Sequence, residues 1–461
     1  MSHHARMNNF DILELIAPLK VAVAQANYLT MTPIQAASLP PILAGRDVIG
    51  QAKTGSGKTA AFALGLLNRL DPALVSVQAL ILSPTRELAT QVSNEVRKLA
   101  AALPNVKVLT LCGGVSLRPH LQSLKHLPQV VVGTPGRILE LIEAAALPLD
   151  KLQTLVLDEA DRLLDMGFAD EVRAILKHLP ATRQTLLFSA TYPDAVRRLS
   201  RDIQRDPMEV TVSSTLTEDD IEQRFYEVAA EQKFAALMRL LNQHEAGSVA
   251  VFCAQRVDAR AVADQLRKQG VVALALHGDL DQRERDEVLV RFANRSATVL
   301  VATDLAARGL DIQHLDLVIN YDLASDADAH LHRIGRTGRA GRKGLALSLV
   351  MPHENARAAL FAGPIGEGAL ASKLPSPKPA PLPAPAFVTL QIDGGRSDKL
   401  RAGDILGALT GSAGLPGDGV GKIDIFPTRS YVAVARDHAD AALRSLGTAR
   451  IKNLKLRVRR L

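Results

Sequence analysis

Short apolar runs alternate along the chain with amphipathic stretches, beginning near residue 47. The runs are rich in Val, Ile and Leu, which is typical of parallel strands that are buried on both faces. Between them, apolar residues recur every three or four positions, which predicts helices. This alternation predicts an α/β domain with a parallel sheet covered by helices. The candidate strands are 47–49, 79–83, 106–112, 130–133, 154–158 and 185–189, and the candidate helices include 58–70, 86–99 and 193–203.

The alternation stops in a polar segment, 208–220, which we predict to be a linker, and it then resumes. The pattern therefore predicts two α/β domains, one over 1–207 and one over 221–364. The candidate strands of the second domain are 248–253, 272–276, 298–302, 317–321 and 346–351.

A proline-rich segment, 365–385, follows the second domain, and proline occupies every second position from Pro375 to Pro385. Such a stretch favours an extended spacer, because proline neither continues a helix nor donates to a strand ladder. The remaining residues, 386–461, show apolar runs and helical patterns in the order β-α-β-β-α-β. That order predicts a small α+β domain of the RNA-recognition (RRM-like) type. The aromatic sheet signature of that fold is missing, so a protein-interaction or stability domain stays open as an alternative.

Composition narrows the class of protein further. The chain has a net charge of +7, and the segment after Ala386 holds 13 Lys and Arg residues against 7 Asp and no Glu. A basic C-terminal segment favours a polyanionic partner. Two cysteines, both in apolar runs, exclude a disulfide framework and indicate a reducing, cytoplasmic setting. No apolar run is long enough to span a membrane, so we expect no membrane partner.

A glycine-rich segment stands where a candidate strand ends and a candidate helix begins, which is the context that a phosphate-binding loop requires. Gly55 and Gly57 allow backbone N–H groups to approach phosphate oxygens. Lys58 is placed to reach the β- and γ-phosphates, and Thr59 to hold Mg²⁺. The candidate ATP-binding residues of this loop are Ala52, Lys53, Thr54, Gly55, Ser56, Gly57, Lys58 and Thr59.

A second motif completes an ATP-hydrolysing site. An apolar run ends in Asp158 and Glu159, as acidic residues do at the carboxyl edge of a parallel sheet. Asp158 suits a Mg²⁺ ion bound through water, and Glu159 suits the positioning of the attacking water.

Further motifs connect these two to one family. The chain resembles the DEAD-box helicases of superfamily two, over about Phe10 to Met351. This resemblance implies two tandem RecA-like domains and an ATPase that depends on RNA. The motifs, in chain order, are PTRELA at 84–89, GG at 113–114, TPGR at 134–137, DEAD at 158–161, SAT at 189–191, ATDLAARGLD at 302–311 and HRIGRTGR at 332–339.

The resemblance also implies roles for residues outside the phosphate loop. Gln35 would read the adenine base and Phe10 would stack on it, while Asn27 stands where the family usually has glycine. The second domain would contribute arginines that stabilise charge on the γ-phosphate. These and the other second-domain residues implied at the ATP site are Arg336, Arg339, His332, Gly309 and Asp311.

RNA would be held through its sugar-phosphate backbone, which positions a strand without reading its sequence. In the family, the SAT motif links the ATP-binding acids to closure of the two domains on RNA. The residues implied as RNA contacts are Thr85, Arg86, Gly114, Thr134 and Arg137 of the first domain and Thr303 of the second.

The basic C-terminal segment resembles a specialised domain found on one bacterial branch of this family. That domain tethers its helicase to a hairpin of the 23S ribosomal RNA, which would place this chain in large-subunit assembly. We expect RNA contacts from its basic residues Lys399, Arg401, Lys422, Arg429 and Lys452. Two alternatives stay open: a general RNA helicase without ribosomal specificity, and a nucleotide-gated RNA clamp. The sequence does not determine the oligomeric state.

Overall fold

The computed structural model describes residues 9–52, 55–212, 221–307, 315–338, 343–362, 372–376, 384–412, 414–448, 450–452 and 454–461. The chain forms two compact units. The first unit is the first α/β domain, and the second unit contains the second α/β domain together with the small C-terminal domain. Two parallel sheets and one small antiparallel sheet confirm the predicted fold class.

The first domain is built on a seven-stranded sheet in the order β3-β4-β2-β5-β6-β1-β7, and all its neighbouring strands are parallel. Successive side chains of one strand enter different cores: Leu80 packs on one side of the sheet and Ile81 on the other. Burial on both faces explains why these strands are continuous apolar runs. The strands are β1 Val48–Gln51, β2 Ala79–Leu82, β3 Val108–Leu111, β4 Val130–Gly133, β5 Thr154–Leu157, β6 Gln184–Ser189 and β7 Met208–Thr211.

Helices cover both faces of this sheet. The helix that starts at Pro33 is closed by a capping box in which Thr32 and Gln35 bond each other's backbone N–H groups. The helices are α1 Ala17–Gln25, α2 Pro33–Leu43, α3 Lys58–Arg69, α4 Arg86–Ala100, α5 Arg118–Leu124, α6 Pro135–Glu143, α7 Ala160–Asp165, α8 Ala169–Leu176 and α9 Asp194–Ile203.

The linker predicted over 208–220 begins later than the sequence indicates. Met208–Thr211 forms the edge strand β7, which pairs in parallel with β1. In this strand only Val210 is buried, because an edge strand has a solvent-facing side. Residues 213–220 lie outside the described part of the chain.

The second domain has a six-stranded parallel sheet in the order β10-β11-β9-β12-β13-β8. All five strands predicted from apolar runs are present, and β8 adds an edge strand whose exposed positions hid it in the sequence. The strands are β8 Ile221–Glu227, β9 Val249–Cys253, β10 Ala273–Leu276, β11 Val299–Thr303, β12 Leu317–Asn320 and β13 Gly344–Val350. The helices are α10 Lys233–His244, α11 Arg256–Lys268, α12 Gln282–Ala293, α13 Asp304–Ala307, α14 Ala327–Ile334 and α15 Asn355–Ala362.

The C-terminal domain has an antiparallel sheet in the order β15-β16-β14-β19, with two helices on one face. This arrangement confirms the predicted β-α-β-β-α-β order. The strands are β14 Phe387–Ile392, β15 Val420–Ile425, β16 Ser430–Ala435, a short hairpin of β17 Arg450–Ile451 and β18 Leu454–Lys455, and β19 Val458–Arg460. The helices are α16 Ala402–Gly407, continued by a π-helical turn over Ala408–Ser412, and α17 Ala439–Thr448.

Neither cysteine forms a disulfide, and both are buried. Within the described ranges, the helices are all too short or too polar to cross a membrane.

Candidate nucleotide and RNA site

The predicted site residues of the first domain lie at the carboxyl edge of its sheet, and they fall into two groups. Three neighbouring strands, β5, β6 and β1, are followed by the ATP-site motifs that begin at Asp158, Ser189 and Ala52. The other three neighbours, β3, β4 and β2, are followed by the RNA motifs at Gly113, Thr134 and Pro84. We name these two parts of the sheet edge the nucleotide half and the RNA half, after the roles that their motifs predict.

The phosphate loop connects β1 to helix α3, as its sequence context predicts. Gly57 has φ of +95°, and a Cβ atom there would lie 2.5 Å from Nε2 of Gln35, so only glycine fits. The Lys58 Nζ atom donates to the backbone oxygen of Ala52. Burial lowers the pKa of Lys58, while the nearby Asp158 carboxylate acts in the opposite direction. Lys53 and Thr54 lie outside the described residues.

The adenine-reading motif is attached to this loop. Gln35 is buried; its Oε1 accepts from the Thr32 N–H at 2.9 Å, and its Nε2 donates to the Gly57 carbonyl at 3.1 Å. Phe10 is also buried and stacks on Tyr28 with ring centroids 6.2 Å apart. Both residues therefore have partners within the first domain, and their contact with a base stays a proposal.

Asn27 shows why glycine is common at its position. Its φ is +60°, in the left-handed region. Glycine enters that region freely, and Asn tolerates it better than most other residues. The substitution therefore preserves the local turn.

The acidic motif is buried, and this burial and the neighbouring Glu159 carboxylate both disfavour the ionised form of Asp158. Burial, followed by the neighbouring Glu159 carboxylate, raises the pKa of Asp158 to about 7. Glu159 adopts φ of +50°, a backbone conformation that costs free energy and concentrates at functional sites. Its Oε2 accepts from Nη1 of Arg162 at 2.6 Å, and both side chains are about 5% exposed. Sequence reasoning missed Arg162; its position one turn after Glu159 on a helix is the signal that could have found it.

Asp161 joins the acidic motif to the SAT motif. Its Oδ2 accepts from both N–H and Oγ1 of Thr191, at 2.9 and 2.8 Å, and its own N–H donates to Ser189. Burial acts to raise the pKa of Asp161, but the hydrogen bonds from Thr191 and Ser189 outweigh it and hold that pKa below its usual value. The two motifs therefore form one bonded unit.

In the RNA half, two threonines hold loops in place. Thr85 caps helix α4 by accepting from the Leu88 N–H at 3.2 Å, and Thr134 accepts from the Gly113 N–H at 3.3 Å. Arg86 lies beside them, and its Nη1 is buried without a hydrogen-bond partner in the described structure. A Cβ atom at Gly114 would lie 2.5 Å from that Nη1 atom, so glycine gives the guanidinium its space. An orphaned cationic donor of this kind suits a phosphate oxygen.

Arg137 differs from Arg86, because its guanidinium is fully engaged. It bonds Glu140 at 2.8 Å, the His120 ring at 2.6 Å and the Val115 carbonyl at 2.7 Å. Burial, and then the charge of Arg137, lowers the pKa of His120 to about 4, so this imidazole is neutral near pH 7. Arg137 thus fixes the loop that follows Gly113 and Gly114.

In the second domain, Thr303 ends strand β11, Arg336 is buried after helix α14, and His332 is half-buried on that helix. The predicted site residues Gly309, Asp311 and Arg339 lie outside the described residues.

The structure also shows a role for Arg333 that the sequence did not indicate. This residue forms two bonds with Asp304, at 2.6 and 2.7 Å, and it donates to the Asp322 carbonyl at 2.6 Å. It therefore joins the ATDLAARGLD motif to the HRIGRTGR motif. A sequence signal for this pair existed: Asp304 and Arg333 lie in two motifs that the family resemblance places near the same site.

The outer face of the C-terminal sheet is covered by the second domain. Thr389, on β14, is fully buried and bonds Ser296 at 2.7 Å. Arg429 pairs with Asp286 on helix α12 at 3.0 Å, and its guanidinium lies over the Phe426 ring. Because Arg429 is only 14% exposed, the structure gives it an interdomain partner rather than a free surface.

Three of the other basic candidates lie away from this covered face. Lys399 and Arg401 are exposed, and Lys452 donates to the Lys399 carbonyl at 2.7 Å and pairs with Asp404 at 3.0 Å. We name Lys399, Arg401 and Lys452 the basic corner. Lys422 is separate from the corner contacts and pairs with Asp424 on its own strand.

Comparison with known proteins identifies each domain. The family model for the DEAD/DEAH box helicase matches residues 32–199, that for the helicase conserved C-terminal domain matches 232–341, and that for the DbpA RNA binding domain matches 389–460. The ATP-dependent RNA helicase DbpA of Escherichia coli (strain K12) is 50% identical over 454 residues, which cover 98% of this chain and 99% of that protein.

Other relatives share the two core domains. The ATP-dependent RNA helicase CshA of Listeria monocytogenes is 46% identical over 76% of this chain and 67% of its own length. The solved structure of S. cerevisiae Dbp5 bound to RNA and ADP BeF3 superposes with a TM-score of 0.70 at 33% identity, covering 78% of this chain and 94% of that chain. With the motifs assembled at one sheet edge, these matches show that the chain belongs to the DEAD-box ATP-dependent RNA helicases, and within them to the DbpA type with its C-terminal RNA-binding domain.

Proposed function

We propose that this helicase couples ATP hydrolysis with Mg²⁺ to the local unpairing of a hairpin-bearing 23S ribosomal RNA during assembly of the large ribosomal subunit. The observation that supports the catalytic part is the division of the sheet edge into a nucleotide half and an RNA half. A direct chain of bonds inside one domain connects the acids of the nucleotide half to Thr191 of the SAT motif.

The residues present fit a Mg²⁺ ion that is held mainly by phosphates and water. Within the described residues no cluster of three His, Cys, Asp or Glu side chains forms a metal cage. Mg²⁺ in nucleotide sites is bound in this way, with one or two protein oxygens. Thr59 and Asp158 would supply those oxygens, and a nearby cation would favour the ionised form of Asp158, whose pKa burial raises. The ion would neutralise charge that develops on the phosphates.

Glu159 is the residue that we assign to the attacking water. Its carboxylate is buried beside the phosphate loop and fixed by Arg162, so its direction is set before ATP arrives. Lys58 would exchange its bond with the Ala52 carbonyl for phosphate oxygens. Arg336 of the second domain would add positive charge at the γ-phosphate, so hydrolysis needs groups from both domains.

RNA would enter the other half of the edge, where Arg86 offers a buried donor that has no partner in the described structure. Thr85, Thr134 and Gly114 shape the loops beside it. Contacts of this kind bind the sugar-phosphate backbone and leave the sequence unread. Specificity must then come from another part of the chain.

We assign that specificity to the basic corner of the C-terminal domain. RNA-recognition folds commonly bind bases on the outer sheet face, but here Thr389, Gln391 and Tyr431 of that face are buried. The basic corner is exposed, so it can receive an RNA hairpin while the sheet stays on the second domain. A reducing, cytoplasmic location fits this role.

The test is the RNA-stimulated ATPase rate with two RNAs of equal length, one carrying the ribosomal hairpin and one with a scrambled sequence. We expect strong stimulation by the hairpin RNA alone, and the loss of this preference when residues 386–461 are removed. Equal stimulation by both RNAs would instead favour the general helicase without ribosomal specificity.

Removal of residues 386–461 also uncovers the surface of the second domain that packs on the C-terminal sheet. A double substitution in the basic corner avoids this side effect. Lys399→Gln together with Arg401→Gln should reduce the preference for the hairpin RNA by about tenfold or more, because both side chains would contact groups that only the folded hairpin brings together, and a hydrogen bond from a charged group contributes on the order of 1.5 kcal/mol. The control is Arg444→Gln, which changes a charge on helix α17 outside the basic corner. An unchanged preference in the double variant would remove the basic corner from the proposal.

A further inference from the structure

The first domain has a cleft at the sheet edge opposite to its ATP site. The cleft has a volume of about 340 Å³ and lies where strands β1, β6 and β7 begin. Four arginines line it: Arg46, Arg69, Arg183 and Arg205. Helix α3 runs between the two sites, since it starts in the phosphate loop at Lys58 and ends at Arg69. Its twelve residues separate the two ends by about 18 Å.

Three of these guanidinium groups have no carboxylate partner. In the described part of the chain, Arg69 bonds the Gln184 amide oxygen at 3.3 Å, Arg183 bonds the Pro180 carbonyl at 2.9 Å, and Arg205 bonds the Ala181 carbonyl. Each of these acceptors is neutral, and the Asp47 carboxylate acts on Arg183 through its charge without a direct bond in the described structure. Nε of Arg183 is in addition buried without a partner among the described residues.

The two acidic residues of the cleft offset only part of the charge of the four arginines. Asp47 is buried, and its oxygens accept from the backbone N–H groups of Thr185 and Arg205, both at 2.7 Å. Asp206 pairs with Arg46 at 3.0 Å, and the Asp206 side chain is 98% exposed. One of four arginines is therefore paired, and Asp47 is used to hold the backbone.

The floor of the cleft is rigid. Gln184 is buried and donates through Nε2 to the carbonyls of Ile42 and Arg46, at 3.0 and 2.6 Å. Gly45 has φ of +79°, and a Cβ atom there would lie 3.0 Å from Nη1 of Arg69. The absence of that side chain lets Arg69 lie against the turn. The arginines thus converge on a preorganised site, and repulsion among them is relieved by a bound anion.

We propose that this cleft is a second phosphate-binding site, independent of the ATP loop. Guanidinium groups bind phosphate oxygens through paired N–H donors, and Arg69, Arg183 and Arg205 supply such donors around one volume. The phosphate group belongs either to RNA outside the core groove or to a free phosphate anion. Both sources present the same oxygens to the arginines.

The first measurement is equilibrium dialysis of the full chain with radiolabelled inorganic phosphate, with the ATP loop saturated by Mg²⁺ and a nonhydrolysable ATP analogue. We expect one bound phosphate in the wild type and at least a tenfold weaker affinity in Arg69→Gln/Arg205→Gln. Arg198→Gln, an exposed arginine of the same domain outside the cleft, is the matched control. Both substituted arginines are exposed, so the melting temperature of the double variant should equal that of the wild type. The single variants Arg69→Gln and Arg205→Gln are measured in the same way.

The second measurement distinguishes the sources. The plot of log affinity for RNA against log salt becomes less steep by about 0.7 to 0.9 for each RNA phosphate that the protein no longer neutralises. A shallower slope in the double variant assigns the site to RNA. An unchanged slope together with weaker binding of inorganic phosphate assigns it to a free anion. If neither measurement separates the double variant from Arg198→Gln, the proposal is wrong.

Discussion

Each core domain contains a buried arginine that is paired with a carboxylate, and the two pairs are built differently. In the first domain, Glu159 and Arg162 are three residues apart and share one bond of 2.6 Å. In the second domain, Arg333 donates to both carboxylate oxygens of Asp304, which lies 29 residues away along the chain. Arg333 also bonds Asn320 and lies over the Phe252 ring.

The different sequence separations of the two pairs indicate different roles, one in catalysis and one in stability. The pair of Glu159 and Arg162 is local and holds no distant elements together. The buried, left-handed conformation of Glu159 therefore indicates a functional role rather than a contribution to stability. Arg333 connects helix α13, helix α14 and the end of β12, and its removal breaks bonds to Asp304, Asn320 and the Asp322 carbonyl together. Glu159 is therefore expected to matter for turnover and Arg333 for folding.

The largest expected effect is on catalysis. Glu159→Gln should lower RNA-stimulated ATP turnover by about 10³-fold, because positioned acid–base groups contribute about 10²- to 10⁴-fold. The amide keeps the shape of the side chain and can still accept a hydrogen bond from Arg162, but it removes the negative charge of a buried pair, so the melting temperature should fall. Turnover is therefore compared at a temperature at which both proteins are folded. Turnover under saturating ATP and RNA measures the effect, with the exposed Glu143→Gln as the control. Wild-type turnover in the Glu159 variant would contradict the assignment of this residue to the attacking water.

The next effect is on stability. Arg333→Ala should reduce the free energy of unfolding of the second domain by about 3 kcal/mol, because it removes a buried guanidinium together with its bonds to Asp304, Asn320 and the Asp322 carbonyl, and a bond to a charged group contributes about 1.5 kcal/mol or more. Hydrogen exchange of the β12 amides measures this within the full chain. Arg256→Ala is the control, because it breaks an exposed pair with Asp279 in the same domain and should cost less than about 1 kcal/mol. Equal destabilisation in the two variants would show that burial does not distinguish these pairs.

The sequence predicted every strand that is a continuous apolar run, including the edge strands β3 and β10, and it missed the two edge strands with several polar positions, β7 and β8. Parallel strands covered on both faces are continuous apolar runs, and every such run proved to be a strand. The strands β7 and β8 lie at sheet edges, where alternate positions face solvent, so Met208–Thr211 was assigned to a linker. The motifs likewise predicted which residues of the first domain meet, since each follows a predicted strand and parallel strands end at one edge; their nucleotide and RNA roles stay predictions.

What the sequence could not predict are contacts between distant segments. Nothing in the composition of the C-terminal domain indicates that its sheet packs on helix α12, and so Arg429 was expected to meet RNA and is found against Asp286. The arginines of the cleft likewise come from distant positions: Arg69 ends helix α3, and Arg46, Arg183 and Arg205 lie in three separate connections. Local sequence preferences do not determine contacts between distant segments, which depend on tertiary packing.

The second domain should also respond to pH through His330. This ring is stacked between Phe225 and Phe361, with centroids 6.0 and 4.7 Å away, so it serves as an aromatic core residue. Burial, and then the charge of Arg333, lowers the pKa of His330 to about 4. The unfolded chain binds a proton below about pH 6.5, whereas the folded chain does so only below about 4. Stability is therefore complete above pH 6.5 and is lost as pH falls toward 4.

At pH 5 this linkage amounts to about 2 kcal/mol relative to pH 7.5. Urea unfolding followed by circular dichroism at both pH values measures it, and His330→Phe should remove that part of the pH dependence while preserving the stacking. Removal of the bond to Gln223 lowers the stability of the variant equally at both pH values. An identical pH dependence in the two proteins would show that His330 stays protonated or exposed.

The smallest expected effect concerns a third pair, Arg429 and Asp286, which joins the C-terminal domain to helix α12. Its side chains are 14% and 20% exposed and share one bond of 3.0 Å, so we expect it to be weaker than the doubly bonded pair of Arg333 and Asp304 and stronger than the exposed pairs of the surface. A double-mutant cycle of Arg429→Gln and Asp286→Asn should give a coupling energy of about 1 kcal/mol, measured by hydrogen exchange of the β14 amides. The control cycle uses Arg460 and Asp440, whose more exposed pair lies within the C-terminal domain and should couple by less than about 0.5 kcal/mol. If the two cycles agree, the covered sheet is held by the burial of Thr389 and its neighbours, and charge contributes only to its alignment.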